Sequence, residues 1–186
     1  MLQLRTERLL LVAATIELVQ AELVGTARLA KLLNAHVSPL WPPPLNDEQT
    51  LRWTLDYLKA NPDGAGWVMW YFLHREHGRL EAVGKGGLCG KPAADGTVEV
   101  GYSILPSHHR LGFAPEAVTA LVDWAFSHRE VTRVLAHTLP ALVPSIRVLE
   151  KCGFQRIGPG EEEGTIRFEL QREANERASA ARRRVH

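Results

Sequence analysis

Between Thr97 and Ser127 the chain changes its hydrophobic period once and abruptly, and this constrains the fold more than any other feature of the sequence. Thr97 to Leu105 reads as a strand that stops at Pro106. Pro115 to Ser127 then sets Ala117, Val118, Leu121, Val122 and Ala125 at helical spacing. A short loop carrying a single glycine, Gly112, is all that separates them. A strand that feeds directly into a helix lying against a sheet is the repeating unit of a layered α/β domain.

The rest of the chain extends that unit. Gln3 to Val12 suits a first strand, and Thr15 is a fitting N-cap for a helix reaching Leu33 with an apolar stripe from Ile16 to Leu33. No helix can cross Ser38 to Pro44, because consecutive prolines lack N–H donors and clash with the preceding turn. Asn46 or Asp47 caps a second helix, Glu48 to Lys59, which Asn61-Pro62-Asp63-Gly64 ends. Trp67 to Arg75 and Leu80 to Leu88 read as strands around a turn at Glu76 to Arg79.

Beyond Ser127 come a strand from Val131 to Leu139, a short helix to Cys152 with Gly153 at C′, and strands starting near Gly153 and Gly164. The expectation is one α/β (α+β) domain over residues 1–172, a mixed central sheet flanked by helices in the order β-α-α-β-β-β-α-β-α-β-β. Residues 173–186 form a charged tail, expected as a solvated helical end whose Arg182-Arg183-Arg184 could meet an acidic partner. A dinucleotide-binding fold is disfavoured because no GxGxxG follows the first strand.

Composition narrows the function classes. The 22 basic residues nearly cancel the 21 acidic ones, so no overall field gathers nucleic acid or an anionic membrane. The N-terminal apolar run is short, follows Arg5, Glu7 and Arg8, and lacks a cleavage pattern, which predicts neither a signal peptide nor a membrane span. Cys89 and Cys152 stand far apart without ligand spacing, and His108-His109 cannot face one metal at i, i+4. A cytoplasmic, metal-free protein is expected.

Chemistry concentrates where the period changes. Backbone N–H groups between His109 and Ala114 would converge on the positive end of a helix, an arrangement that holds a pyrophosphate without many charged side chains. Gly112 lets the backbone approach the phosphates closely. Taken alone, the same segment also reads as an ordinary glycine turn.

Four ordered motifs resolve that choice. His109-x-x-Gly112-x-Ala114 resembles the pyrophosphate loop Gln/Arg-x-x-Gly-x-Gly/Ala of the GNAT acetyltransferases. Thr6-Glu7-Arg8-Leu9-Leu10-Leu11, Val98-Glu99-Val100-Gly101-Tyr102 and Ser145-Ile146-Arg147-Val148-Leu149-Glu150-Lys151-Cys152-Gly153-Phe154 are similar to segments of the subgroup that contains the ribosomal-protein N-terminal acetyltransferases. The sequence departs from this pattern at His109, at Pro115, which removes one N–H, and at Leu142, where the subgroup has Asn.

The resemblance implies an acetyl-CoA-dependent N-acetyltransferase, with the coenzyme held by Ser103, Ile104, Leu105, His109, Arg110, Leu111, Gly112, Phe113 and Ala114, and with Leu142 near the pantetheine arm. It implies attack of a neutral amine on a thioester, which needs a base, an oxyanion donor and a proton for sulfur. Glu99 is the first choice of base and reads equally as a strand-edge carboxylate in an ion pair. Ile104 or a neighbour would give the oxyanion N–H. Ser145 either faces the sulfur or caps its helix, while Tyr102 and Cys152 read as packing groups.

The implied acceptor is a protein or peptide N-terminal α-amine. A small-molecule amine and a non-catalytic acyl-CoA-binding module are the alternatives, and homodimerisation is left open. Trp41, Trp53 and Trp70 read as core residues or as the acceptor wall, and Glu161-Glu162-Glu163 as a solvated loop or as an acidic rim for a cationic acceptor.

Overall fold

The computed structural model describes residues 1–183, which form one mixed sheet of eight strands with helices on both faces. In chain order the elements are β1 (Gln3–Arg5), β2 (Leu9–Ala13), α1 (Ile16–Val24), α2 (Thr26–Leu33), α3 (Glu48–Ala60), β3 (Met69–Glu76), β4 (Arg79–Leu88), β5 (Thr97–Ile104), α4 (Phe113–Phe126), β6 (Arg133–Thr138), α5 (Val143–Lys151), β7 (Gln155–Pro159), β8 (Ile166–Gln171) and α6 (Arg172–Arg183). The sheet order is β1-β2-β3-β4-β5-β6-β8-β7, antiparallel throughout except for the parallel pair β5·β6. Among the described residues no helix is long and apolar enough to cross a membrane.

Two expected elements are each divided. The first strand breaks at Thr6, whose Oγ1 accepts from Leu9 N–H and folds the chain into the β1·β2 hairpin. The first helix breaks at Gly25, which sits at φ 147°, a conformation L side chains rarely adopt, and which ends α1 by donating to Ala21 O.

Alternation along the strands gives the sheet two unlike faces. Leu9, Leu11, Phe72, Val98, Val100, Val134, Ala136, Phe168 and Leu170 point to α4 and α5 and form the larger core. On the other face, Leu10, Val12, Tyr71, Leu73 and Ala82 are covered by α1 to α3. That cover stops at β5, and the same face then continues as the polar series Glu99, Ser103, His137, Arg167 and Glu169.

The covered half encloses a charged cluster. Lys85 Nζ, with no exposed surface, lies 2.8 Å from Glu22 Oε1, while Trp41 Nε1–H and Tyr71 O–H donate to the same carboxylate at 2.7 and 2.8 Å. The cluster ties the proline-rich loop and α1 to β3 and β4. Burial lowers the Lys85 pKa, against the opposing effect of Glu22, and burial raises that of Tyr71, reinforced by the Glu22 charge.

The C-terminal segment, expected to be solvated, packs instead along α4. Asn175 is buried and donates to Asp123 Oδ1 at 2.9 Å, and Arg182 reaches Asp123 Oδ2 at 3.3 Å. The acidic group that meets Arg182 is therefore in the same chain, while Arg184 lies outside the described residues.

Candidate active site

The site is built on a fork in the sheet. β5 pairs with β6 only at Thr97↔Arg133, Val98↔Val134 and Glu99↔Leu135, after which β6 continues alongside β8 alone through Thr138. On its other edge β5 stays paired with β4 from Val100 to Ile104. Leu105 N–H donates to Val83 O and Glu99 O accepts from Cys89 N–H, so the odd residues of β5 turn their backbone groups toward β4. Tyr102 and Ile104 accordingly turn theirs toward the space that β6 has left. Gly84 and Gly86 hold the paired edge close, since a Cβ on either would lie 2.5 Å from the Ser103 or Gly101 carbonyl oxygen.

At the end of β5 the chain turns through Pro106–His108 into α4. Arg110 and Gly112, at φ 64° and 83°, place two left-handed residues in the turn that leads into α4. Among the described residues nothing accepts from the N–H of Arg110, Leu111, Gly112, Phe113 or Ala114. These donors surround the positive end of α4, which suits a pyrophosphate. A Cβ on Gly112 would lie 3.1 Å from Arg8 Nη2 and would also be strained by the backbone angle. A run of N–H donors at the start of α4, unpaired among the described residues, has the chemistry to suit the diphosphate of the acyl-CoA implied by the sequence motifs.

Glu99 stands at the vertex of the fork, on the uncovered face, with its side chain 39% exposed. His137 Nδ1 lies 2.9 Å from Glu99 Oε1. Next along β5 come Gly101, with open space where a Cβ would be, and Ser103. On the opposite face Tyr102 Oη reaches across to α5, 3.2 Å from Ser145 Oγ and 3.2 Å from the Ser145 carbonyl oxygen. Burial pushes the Tyr102 hydroxyl up to about 12, against the lowering effect of the Ser145 hydrogen bond.

Several expected ligand residues act differently in the structure. The His109 N–H is committed to Pro106 O, and its ring Nε2–H donates to Ile104 O at 2.9 Å, so His109 braces the loop and the free donors begin at Arg110. Leu105 offers neither N–H nor side chain, because the first is spent on Val83 O and the second is buried. Phe113 has its ring in the core and offers only its N–H. Pro115 is the third residue of α4, not the first.

Leu142, not Ser145, is the N-cap of α5, and it makes no side-chain cap; Ser145 lies inside the first turn. Tyr102 is not simply a packing group, since its hydroxyl is bonded to Ser145. Trp41 and Trp70 belong to the core, while Trp53 remains 47% exposed, its ring centroid 5.6 Å from that of Tyr57 with the planes tilted by 30°. Cys152 is buried, with its thiol raised by burial. Among the described residues no group of three or more His, Cys, Asp or Glu side chains could hold a metal ion.

The sequence reading did not single out His137. Its signal is one of parity: Val134 and Ala136 face the core, so His137 falls on the same face as Glu99 once β5 and β6 are parallel neighbours.

Comparison with known proteins agrees with this geometry. Residues 8–155 match the family described as Acetyltransferase (GNAT) domain. The chain is 30% identical to the uncharacterized N-acetyltransferase YjdG of Bacillus subtilis, over 83% of this chain and 90% of that protein. A putative ribosomal-protein-serine acetyltransferase from Vibrio cholerae shares the fold at 22% identity and a TM-score of 0.62, covering 91% of this chain and 97% of that one. The aminoglycoside acetyltransferase AAC(6')-Ib, solved in complex with coenzyme A, does so at 21% identity and a TM-score of 0.59, covering 91% and 98%. Acetyl-CoA is the acyl donor for acetyltransferases of this fold. A match over most of the length, on a chain whose sheet carries the β5·β6 fork, establishes that this chain is an acetyltransferase belonging to the GNAT family.

Proposed function

We propose that this acetyltransferase moves the acetyl group of acetyl-CoA to a primary amine, a protein or peptide N-terminal α-amine, with Glu99 accepting the amine proton. The observation that carries this reading is the position of the Glu99 carboxylate, half-exposed at the last β5·β6 pair before the strands part. The run of N–H donors from Arg110 to Ala114 lies beyond the far end of the same strand. A linear acyl-CoA anchored there has the fork as its way through the sheet.

When bound, acetyl-CoA supplies an activated acyl group as a thioester. The chain's own groups divide the remaining work. The N–H donors at the start of α4 hold the pyrophosphate, and the Ile104 or Tyr102 N–H on the open edge of β5 supports the acyl oxygen. Glu99 takes a proton from the attacking nitrogen. The Tyr102–Ser145 hydroxyl pair, protonated at neutral pH, supplies one to the departing sulfur. Exposed Leu139, Leu142 and Val143 give an apolar rim beside α5 where the subgroup has an amide, so the pantetheine arm is held there by apolar contact.

The α-amine preference follows from the kind of base present. An α-amine titrates near ~8 and has a sizeable neutral fraction at pH 7.5, whereas a lysine amine near ~10.4 needs a stronger base. A single half-exposed carboxylate suits the former. The ribosomal-protein-serine acetyltransferase shares the fold, but so does an aminoglycoside acetyltransferase, and the acceptor must be decided by chemistry.

An amine panel scored by release of free coenzyme thiol tests this. The panel holds peptides with free or blocked N-termini, spermidine and an aminoglycoside. Higher kcat/KM on free α-amines supports the proposal, whereas a tenfold preference for the blocked lysine peptide or the small amines, about 1.4 kcal/mol, overturns it. In a separate thermal melt, acetyl-CoA should raise Tm, and Gly112→Asp should abolish that rise by placing a negative side chain at the start of α4.

A further inference from the structure

We propose that His137 is a positioning residue that fixes the Glu99 carboxylate for proton abstraction; this rests on the reading of Glu99 as the base. The two side chains leave the same face of parallel strands and meet across the vertex of the fork, with Nδ1 2.9 Å from Oε1. His137 is the more enclosed partner, its side chain 15% exposed against 39% for Glu99. Their arrangement is therefore a carboxylate at the opening with an imidazole behind it.

The surroundings select one tautomer. His137 Nε2 is buried and has no hydrogen-bond partner among the described residues. The ring edge that carries it packs toward the β7–β8 turn, where a Cβ on Gly160 would lie 2.9 Å from His137 Cδ2. A proton on Nε2 would bury an unpaired N–H and turn the Nδ1 lone pair against an ionised carboxylate. A proton on Nδ1 makes a charge-assisted hydrogen bond and leaves only a bare lone pair enclosed. Ionised Glu99 therefore favours the Nδ1–H form.

That choice defines what the pair can do. Glu99 Oε1 is held by His137, and Oε2 has no hydrogen-bond partner among the described residues. Proton transfer breaks the amine N–H bond and forms O–H on Oε2, cancelling the carboxylate charge. His137 does not carry the proton onward, because among the described residues Nε2 has no hydrogen-bond partner. The other titratable groups on this face are Cys89, pushed up to about 11 by partial enclosure and the Glu99 charge, Arg167, opposite His137 on β8, and Glu169, opposite Leu135 on β8 and 3.4 Å from Arg133. None of them hydrogen-bonds to the Glu99 side chain among the described residues.

The test uses the full chain with acetyl-CoA and its best acceptor amine, comparing His137→Phe, His137→Asn and His137→Gln in kcat, KM for acetyl-CoA and Tm. Asn places an amide N–H near the position of Nδ1, which Gln and Phe do not. The Phe and Gln variants should lose about tenfold or more in kcat while KM for acetyl-CoA stays within about twofold, and Asn should recover most of the rate. In a Glu99→Gln background, His137→Phe should add little further loss, because the two act as a unit.

If Phe lowers the yield of folded protein, the Asn–Gln comparison decides alone. Asn and Gln variants equally slow at wild-type Tm, or any of the three losses appearing in KM instead of kcat, would overturn the proposal. A slow Glu99→Gln enzyme beside a fully active His137→Phe enzyme sinks this inference but leaves Glu99 as the base. A fully active Glu99→Gln enzyme removes both.

Discussion

Arg8, on the β1–β2 turn, and Glu116, in the first turn of α4, are joined with Nη2 2.7 Å from Oε2, and the same guanidinium donates to the Leu111 carbonyl at 2.8 Å. The Arg8 backbone N–H and the Thr6 hydroxyl donate to Glu116 Oε1, and the guanidinium lies 4.9 Å above the Phe113 ring. The Thr6-Glu7-Arg8 motif, over a hundred residues away in sequence, thus latches the loop at the start of α4 from outside. It also neutralises a carboxylate that would repel a pyrophosphate held at this loop as proposed.

Arg8→Met should therefore weaken acetyl-CoA binding roughly tenfold, about 1.4 kcal/mol, as titration calorimetry would show. A pH dependence follows from the same contacts. Burial raises the Glu116 pKa, but the hydrogen bonds from Thr6 and Arg8 together outweigh it and hold the carboxyl below its ordinary value of 4.5. A depressed folded-state value gives stability that is present above the unfolded value and lost as pH falls through the folded one. Tm of the wild type should fall below about pH 4.5, and Glu116→Gln should flatten that fall.

Gly101 and Gly86 face each other's strands with opposite consequences. A Cβ on Gly101 meets nothing within 4 Å, whereas one on Gly86 would lie 2.5 Å from the Gly101 carbonyl oxygen and 2.9 Å from Phe72. Gly86→Ala should destabilise the fold by about 1–3 kcal/mol through overpacking. Gly101→Val should leave Tm within a few degrees and lower kcat/KM for the amine about tenfold, because its side chain stands between Glu99 and Ser103 on the uncovered face. Equal behaviour of the two variants in a melting experiment and an activity assay would contradict the placement of the acceptor on that face.

The buried cluster around Glu22 predicts a non-additive pair. Lys85→Met alone leaves the enclosed Glu22 carboxylate without its counter-charge and should cost about 3–5 kcal/mol in denaturant unfolding. Glu22→Gln/Lys85→Met removes both charges and should recover a large part of that loss, since Trp41 and Tyr71 can still donate to the Gln carbonyl.

How much of this was legible in the sequence depends on whether local pattern or long-range pairing fixes each feature. The order of strands and helices followed from period and capping, and the tight turn from β5 into α4 from Pro106, Gly112 and the helix beyond. The break at Gly25 was legible in principle, but the apolar stripe runs through it on both sides and masks a change of axis. Lys85 could not be placed from pattern, because a lysine in a glycine-rich strand reads as exposed until Glu22, Tyr71 and Trp41 converge on it. His137 needed the parallel register of β5 and β6, which no local signal sets. The Arg8–Glu116 latch likewise joins residues whose proximity exists only in the folded sheet.

The account turns on Glu99 at the vertex of the fork, and the most direct measurement is the steady-state release of coenzyme thiol by Glu99→Gln with an α-amine peptide. The account predicts a loss of about 10²-fold in kcat with acetyl-CoA binding within about twofold of wild type, because the fold, the donors at the start of α4 and the open edge of β5 are untouched. A Glu99→Gln enzyme that keeps kcat within about twofold of wild type would contradict it.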